Sequence, residues 1–171
     1  MKKRQITGKL FFVLLGCLAF SGCNMGFELD KELFDQKWAA WEEQGLVNYS
    51  MRYYESDPTI FGMKTHIVFV RDNVINEIKS LDGTTLYNLE HPPKNMSDNL
   101  IMVKSISELY MMINRIYEAN PDRNMEIKYN SDFHYPEYIK IPPKDPFGSV
   151  GTGNIIIRIS EFIPLTAETE E

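Results

Sequence analysis

The feature that most constrains this chain is an order of patterns that runs twice: an amphipathic helix followed by three strand-like segments. Residues 30–44, DKELFDQKWAAWEEQ, place Leu33, Phe34, Trp38 and Trp41 three and four apart, so all four share one side of a helix. Asp30 is placed to cap its start and Gly45 to end it. In residues 47–54, VNYSMRYY, Val47, Tyr49, Met51 and Tyr53 alternate with Asn48, Ser50 and Arg52, as in a half-buried strand. Residues 65–70 and 74–80 read as two more strands joined through Arg71-Asp72-Asn73, a tight hairpin because Asp and Asn tolerate positive φ. Residues 82–103 are polar and interrupted by proline, and read as a loop.

The second round opens at 105–119, SISELYMMINRIYEA, where Ser105 and Glu108 have capping-box spacing and Ile106, Leu109, Tyr110, Ile113, Ile116 and Tyr117 form the apolar face. Asn120-Pro121 ends that helix. Strands follow at 125–129, 137–141 and 154–162. Neither half can bury its helix stripe alone. The expected architecture is therefore α+β: two helix–strand–strand–strand halves forming one antiparallel sheet of about six strands, with both helices packed on one face. Residue identity between the halves is slight, so the repetition is one of elements.

Ahead of this domain lies a leader. Lys2, Lys3, Arg4 and Lys9 precede an apolar run of eleven residues, Leu10 to Phe20, and small residues lead to Cys23. A basic start, a short apolar core and a small-residue cleavage zone make a secretory signal. Eleven residues fall well short of the roughly 20 that a spanning helix needs. Phe20-Ser21-Gly22-Cys23 resembles the bacterial lipobox, whose cysteine receives a diacylglyceryl group and becomes the first residue. Phe20 stands where Leu is usual. Leu14-Leu15-Gly16-Cys17 is a second match, but it lies inside the apolar run. The expected organisation is a lipoprotein signal over 1–22, a lipid-anchored tether over 23–29, one α+β domain over 30–163 and a disordered acidic tail over 164–171. Two or more acyl chains, at about 0.8 kcal/mol per buried methylene, give stable anchoring where one gives only marginal binding.

Cysteine usage then excludes chemistry. Cys17 and Cys23 are the only cysteines, so a chain processed at Cys23 keeps no free thiol for a disulfide, a thiolate zinc site or a nucleophile. Four of the 18 basic residues leave with the leader, and the remaining 14 against 24 acids give −10. That balance argues against nucleic acid and anionic membrane surfaces as partners.

The run of NYSMRYY, VFVRDNVINEI, SISELYMMINRIYEA, MEIKYNSDFHYPEYIKI and NIIIRISEFIP resembles a family of small bacterial secreted and lipid-anchored proteins known only as a domain of unknown function. Tyr49, Tyr53, Tyr129, Tyr135, Pro136 and Ile139 fall on that family's "NYxxxY" and "YP" strand positions, from about Leu33 to Phe162. Asp72-Asn73 replaces its usual glycine-containing turn, and the cysteines that some members carry after the first strand are missing. The resemblance implies a fold and an envelope location, and no activity. The layout is also distantly similar to PepSY-like and β-lactamase-inhibitor-like domains, which bind and inhibit.

Chemistry-bearing residues are few. The histidines are His66, His91 and His134, none spaced as H-x-x-x-H. Asp132, His134 and Glu137 lie close in sequence and could form a metal or acid–base site. Against this, Asn130, Ser131 and Asp132 are typical turn residues. His66 shares a strand face with Val68 and Val70, as a core or edge histidine would. Phe147-Gly148-Ser149-Val150-Gly151 lacks nucleophile-elbow spacing, and Gly151-Thr152-Gly153 lacks the third glycine of a dinucleotide loop.

Tyrosines remain. Tyr49, Tyr53, Tyr129, Tyr135 and Tyr138 are the candidate binding surface, because a ring with a polar tip suits interfaces; cross-strand packing would explain them equally. The expectation is a non-enzymatic binding module of the bacterial envelope, without a cofactor or metal beyond the acyl lipid on Cys23. It would use the sheet face away from the helices, with the 142–153 loop at its edge, to meet an envelope protein. The rivals are an envelope hydrolase or metal enzyme on Asp132, His134 and Glu137, and a structural subunit of a membrane complex.

Overall fold

The computed structural model describes residues 28–57, 62–92, 103–143 and 153–166. Its elements run α1 (Lys31–Gln44), β1 (Tyr49–Asp57), β2 (Gly62–Arg71), β3 (Val74–Lys79), β4 (Thr85–Asn88), α2 (Ile106–Ala119), β5 (Glu126–Tyr129), β6 (Pro136–Ile141) and β7 (Ile155–Pro164). Both helices start where their caps dictate. Asp30 Oδ1 accepts from the Leu33 N–H at 3.0 Å, and Gly45 closes α1 at φ 62°. In α2 the Ser105 hydroxyl accepts from the Glu108 N–H, and Glu108 Oε2 accepts from the Ser105 N–H at 2.7 Å. This reciprocal pair satisfies two donors that would otherwise be orphaned.

The sheet has seven antiparallel strands in the order β4-β3-β2-β1-β7-β6-β5. The expected count of about six was low because β4, residues TLYN, lies inside the stretch read as a loop. Four residues are too few to display an alternation, and a register shift between Ile78 and Lys79 breaks what pattern there is. The two halves also join differently from a simple repeat. β1, the first strand of one half, pairs with β7, the last strand of the other. The sheet is thus two runs of hairpins meeting at a single seam. Asp72 and Asn73 do form the tight β2–β3 turn, both at positive φ (51° and 63°).

Register places the buried residues on one side. Tyr49, Met51 and Tyr53 of β1 stand opposite Val70, Val68 and His66 of β2, and Tyr53 stands opposite Ile159 of β7. Ile157 continues the row to Ile139 and Ile127. Onto this face α1 brings Phe34 and Trp41, and α2 brings Ile106, Leu109, Tyr110 and Ile113. Trp41 meets Tyr49 edge-on with ring centroids 5.7 Å apart, while Trp38 stacks on Tyr110 at 5.6 Å, so the helices touch each other as well as the sheet. Each large side chain buried here contributes about 1.5–3 kcal/mol of apolar transfer free energy. Both helices therefore cover one face of the sheet, and no other described element covers the opposite one, called here the uncovered face.

Candidate functional site

The uncovered face follows from the same register. Residues alternating with the core set point away from the helices: Arg52 and Tyr54 on β1, Thr65, Ile67 and Phe69 on β2, Lys128 on β5, Tyr138 and Lys140 on β6, and Ile156 and Arg158 on β7. One row crosses five strands through directly paired positions: Thr65, Tyr54, Arg158, Tyr138 and Lys128. Within it, aromatic rings alternate with cations. The Arg158 guanidinium lies 5.6 Å from the ring centroids of both Tyr54 and Tyr138, and Lys128 Nζ lies 5.3 Å from that of Tyr138. A parallel contact sets Lys79 Nζ 5.0 Å from the Phe69 ring. Each such contact contributes about 0.5–1 kcal/mol at an exposed site and holds the cation upright.

Charge is distributed unevenly on this face. Away from the β2–β3 turn its described part carries Arg52, Lys79, Lys128, Lys140 and Arg158 against Glu77, Glu126 and Glu161. Arg52 pairs with Glu161 at 2.8 Å, Lys79 with Glu77 at 3.0 Å and Lys128 with Glu126 at 3.6 Å. Neither Lys140 nor Arg158 makes an ion pair among the described residues, although Glu126 stands directly across from Lys140 on β5. Glu161 reaches Arg52 from a β-bulge, at φ 51°, where β7 shifts register against β1.

The tyrosines expected to form a binding surface divide between the two faces. Tyr49, Tyr53 and Tyr135 are 0%, 0% and 3% exposed, inside the core beneath the helices. The alternation grouped Tyr49 and Tyr53 correctly but does not reveal which face the helices cover. The Tyr49 oxygen accepts from the buried Ile106 N–H at 2.9 Å, which fixes α2 to β1. Burial raises the Tyr49 and Tyr53 hydroxyls well above the ordinary tyrosine value and pushes Tyr135 up to about 12, with Glu137 and Asp132 adding to the last. Tyr129 is half-buried beside a groove of ≈ 220 Å³ that Leu29 and Leu33 also line. Burial, then Asp30 and Asp35, raises its hydroxyl. Only Tyr138 of the expected five stands on the uncovered face. Tyr54 joins it, and Arg158, which sequence reasoning did not single out, lies between them.

Asp132 and His134 belong to the β5–β6 turn, and Glu137 is the second residue of β6. Asn130 Oδ1 accepts from the Asp132 and Phe133 N–H groups at 3.0 and 2.9 Å, and Asn130 N–H donates to the Tyr135 carbonyl. His134 sits at φ 63°; its carbonyl accepts from the Tyr110 hydroxyl at 2.7 Å, and Lys37 Nζ lies 3.3 Å from its Nδ1. Asp132 is exposed, and its carbonyl faces Gln44 Nε2 at 3.4 Å. Both helices thus clamp this turn. Among the described residues no group of three or more His, Cys, Asp or Glu is placed to hold a metal.

His66 stands on the core face, 7% exposed, and neither ring nitrogen has a hydrogen-bond partner among the described residues. Burial, then Lys64, lowers its pKa. Cys17, Cys23 and residues 144–152 of the expected edge loop lie outside the described residues. No helix among those described is long and apolar enough to cross a membrane.

A family model covers residues 33–149, most of the domain just described. The chain belongs to DUF6174, a family of unknown function. No curated protein and no solved structure is significantly similar to it. The DUF6174 match runs from within α1 past the end of β6, so it includes Thr65, Tyr54, Tyr138 and Lys128 of the row, while Arg158 and β7 follow it in the chain.

Proposed function

We propose that this DUF6174 protein is a lipid-anchored, non-enzymatic binding module of the bacterial envelope that meets a protein partner through the uncovered face of its sheet. The observation that carries this reading is the row Tyr54–Arg158–Tyr138–Lys128, in which rings and cations alternate on a face that no other described element covers. Tyrosine and arginine are the side chains most favoured in the energetic centres of protein interfaces, because each presents a large rigid surface with polar ends. The supporting sequence feature is the leader ending in Phe20-Ser21-Gly22-Cys23. Cys23 lies only five residues before Glu28, so an anchored domain stands within roughly 17 Å of the lipid surface at full extension.

The anchor is tested by expressing the full chain and its Cys23→Ser variant in a bacterium fed radiolabelled palmitate. Label should enter the wild type, and the variant should lose both the label and its membrane association. Equal labelling of the two proteins would refute Cys23 as the modified residue, and labelling lost only in Cys17→Ser would move the anchor there.

A further inference from the structure

We infer that the uncovered face takes an acidic polypeptide segment, with Arg158 reading a carboxylate of the partner and Lys140 supporting it. The inference rests on the proposed function and names the chemistry of its partner. Arg158 is exposed, and the rings on either side hold its guanidinium in place while leaving it without an acid of its own among the described residues. A planar fork of donors fixed in this way matches a carboxylate, and less of its freedom is lost on binding. Lys140 pairs with Ile156 on β7 and with Glu126 on β5, while Tyr138 pairs with Arg158, so Lys140 and Arg158 occupy diagonal positions on the same face, with backbones about 7–8 Å apart.

The sign of this patch opposes that of the chain as a whole, −6 for the full sequence. A second copy presenting the same face would set cation against cation, which disfavours a symmetric face-to-face dimer. Apolar side chains on the same surface, Ile67, Phe69, Ile156 and Ile163, favour a polypeptide over a sugar–phosphate polymer, which would leave them uncovered. The row crosses five strands, about 19 Å at the usual strand spacing, the length of roughly six extended residues. A partner segment of that length mixing Asp or Glu with apolar residues fits both the charge and the surface.

A displayed library of random twelve-residue peptides, selected on the full-length protein in detergent, tests this. Selected peptides should be enriched in Asp and Glu. The best of them, made synthetically, should bind about tenfold or more weakly to Arg158→Glu and to Lys140→Glu. Raising the salt should also weaken it. The unfolding transition of each variant, compared with wild type, confirms that the fold is intact. Neutral or basic peptides, or acidic ones that bind both variants as well as wild type, would overturn the inference. If such peptides were nonetheless lost with Tyr54→Ala or Tyr138→Ala, the binding face would stand and only the acidic partner would fall. Failure to enrich any peptide, with inorganic polyphosphate binding in an Arg158-dependent way, would replace the polypeptide by a phosphate polymer.

Discussion

Replacing Tyr49 by phenylalanine takes one oxygen out of the core and leaves the ring in place. The ring packs against Trp41 and Phe162, with centroids 5.7 and 5.1 Å away, and those contacts survive the change. What is lost is the acceptor for the Ile106 N–H, 2.9 Å from the hydroxyl oxygen, at the first turn of α2. Ile106 is fully buried, so water cannot take the place of the hydroxyl. A buried donor left unpaired costs about 1–3 kcal/mol. For a domain of this size each kcal/mol shifts Tm by about 2–4 °C, so Tyr49→Phe should melt roughly 2–12 °C lower. Urea unfolding should show a lower midpoint with an unchanged m-value, since the native fold and the surface exposed on unfolding stay the same. Tyr138→Phe is the matching control on the uncovered face and should stay within about 0.5 kcal/mol of wild type. A Tyr49→Phe protein as stable as wild type would refute the role given to this hydroxyl in seating α2.

Two further outcomes are expected. The pKa of His66 is lowered in the fold from the ordinary 6.5, so the unfolded chain binds the extra proton first as pH falls. Its contribution to stability is complete above 6.5 and is lost as pH drops through that value toward the folded one; His66→Leu should flatten the slope of unfolding free energy in this window, and an unchanged slope would contradict the assignment. Asn73→Val puts a β-branched residue at φ 63° in the β2–β3 turn and should destabilise by about 1–2 kcal/mol in the same urea assay, whereas Asn73→Gly should not.

Periodicity carried most of the architecture. The stripes of α1 and α2, their caps at Asp30 and Ser105, and the positive-φ turn at Asp72-Asn73 depend on neighbours three or four residues away, and local sequence encodes them directly. What it does not encode is which face of a strand the helices cover. Tyr53 and Tyr54 are adjacent tyrosines, yet one is core and the other stands beside Arg158, because only tertiary packing decides between the two sides. β4 escaped because its four residues and shifted register hold too little pattern. Arg158 escaped because its role comes from strands β1 and β6 placing rings on both sides of it, and these pairings are distant in sequence. Asp132, His134 and Glu137 attracted notice by proximity in the chain, whereas Asn130 folds Asp132 and His134 into a turn and Glu137 lies on β6.

The most direct test of the central claim is site-specific photocrosslinking in living cells, with a photoreactive phenylalanine placed at Tyr54 or Tyr138 on the uncovered face and at Arg115 on the exposed side of α2. One discrete protein adduct is expected from positions 54 and 138, diminished when Arg158→Glu is added, and none from 115. Adducts of equal yield from 115, or adducts from 54 and 138 that are indifferent to Arg158, would contradict it.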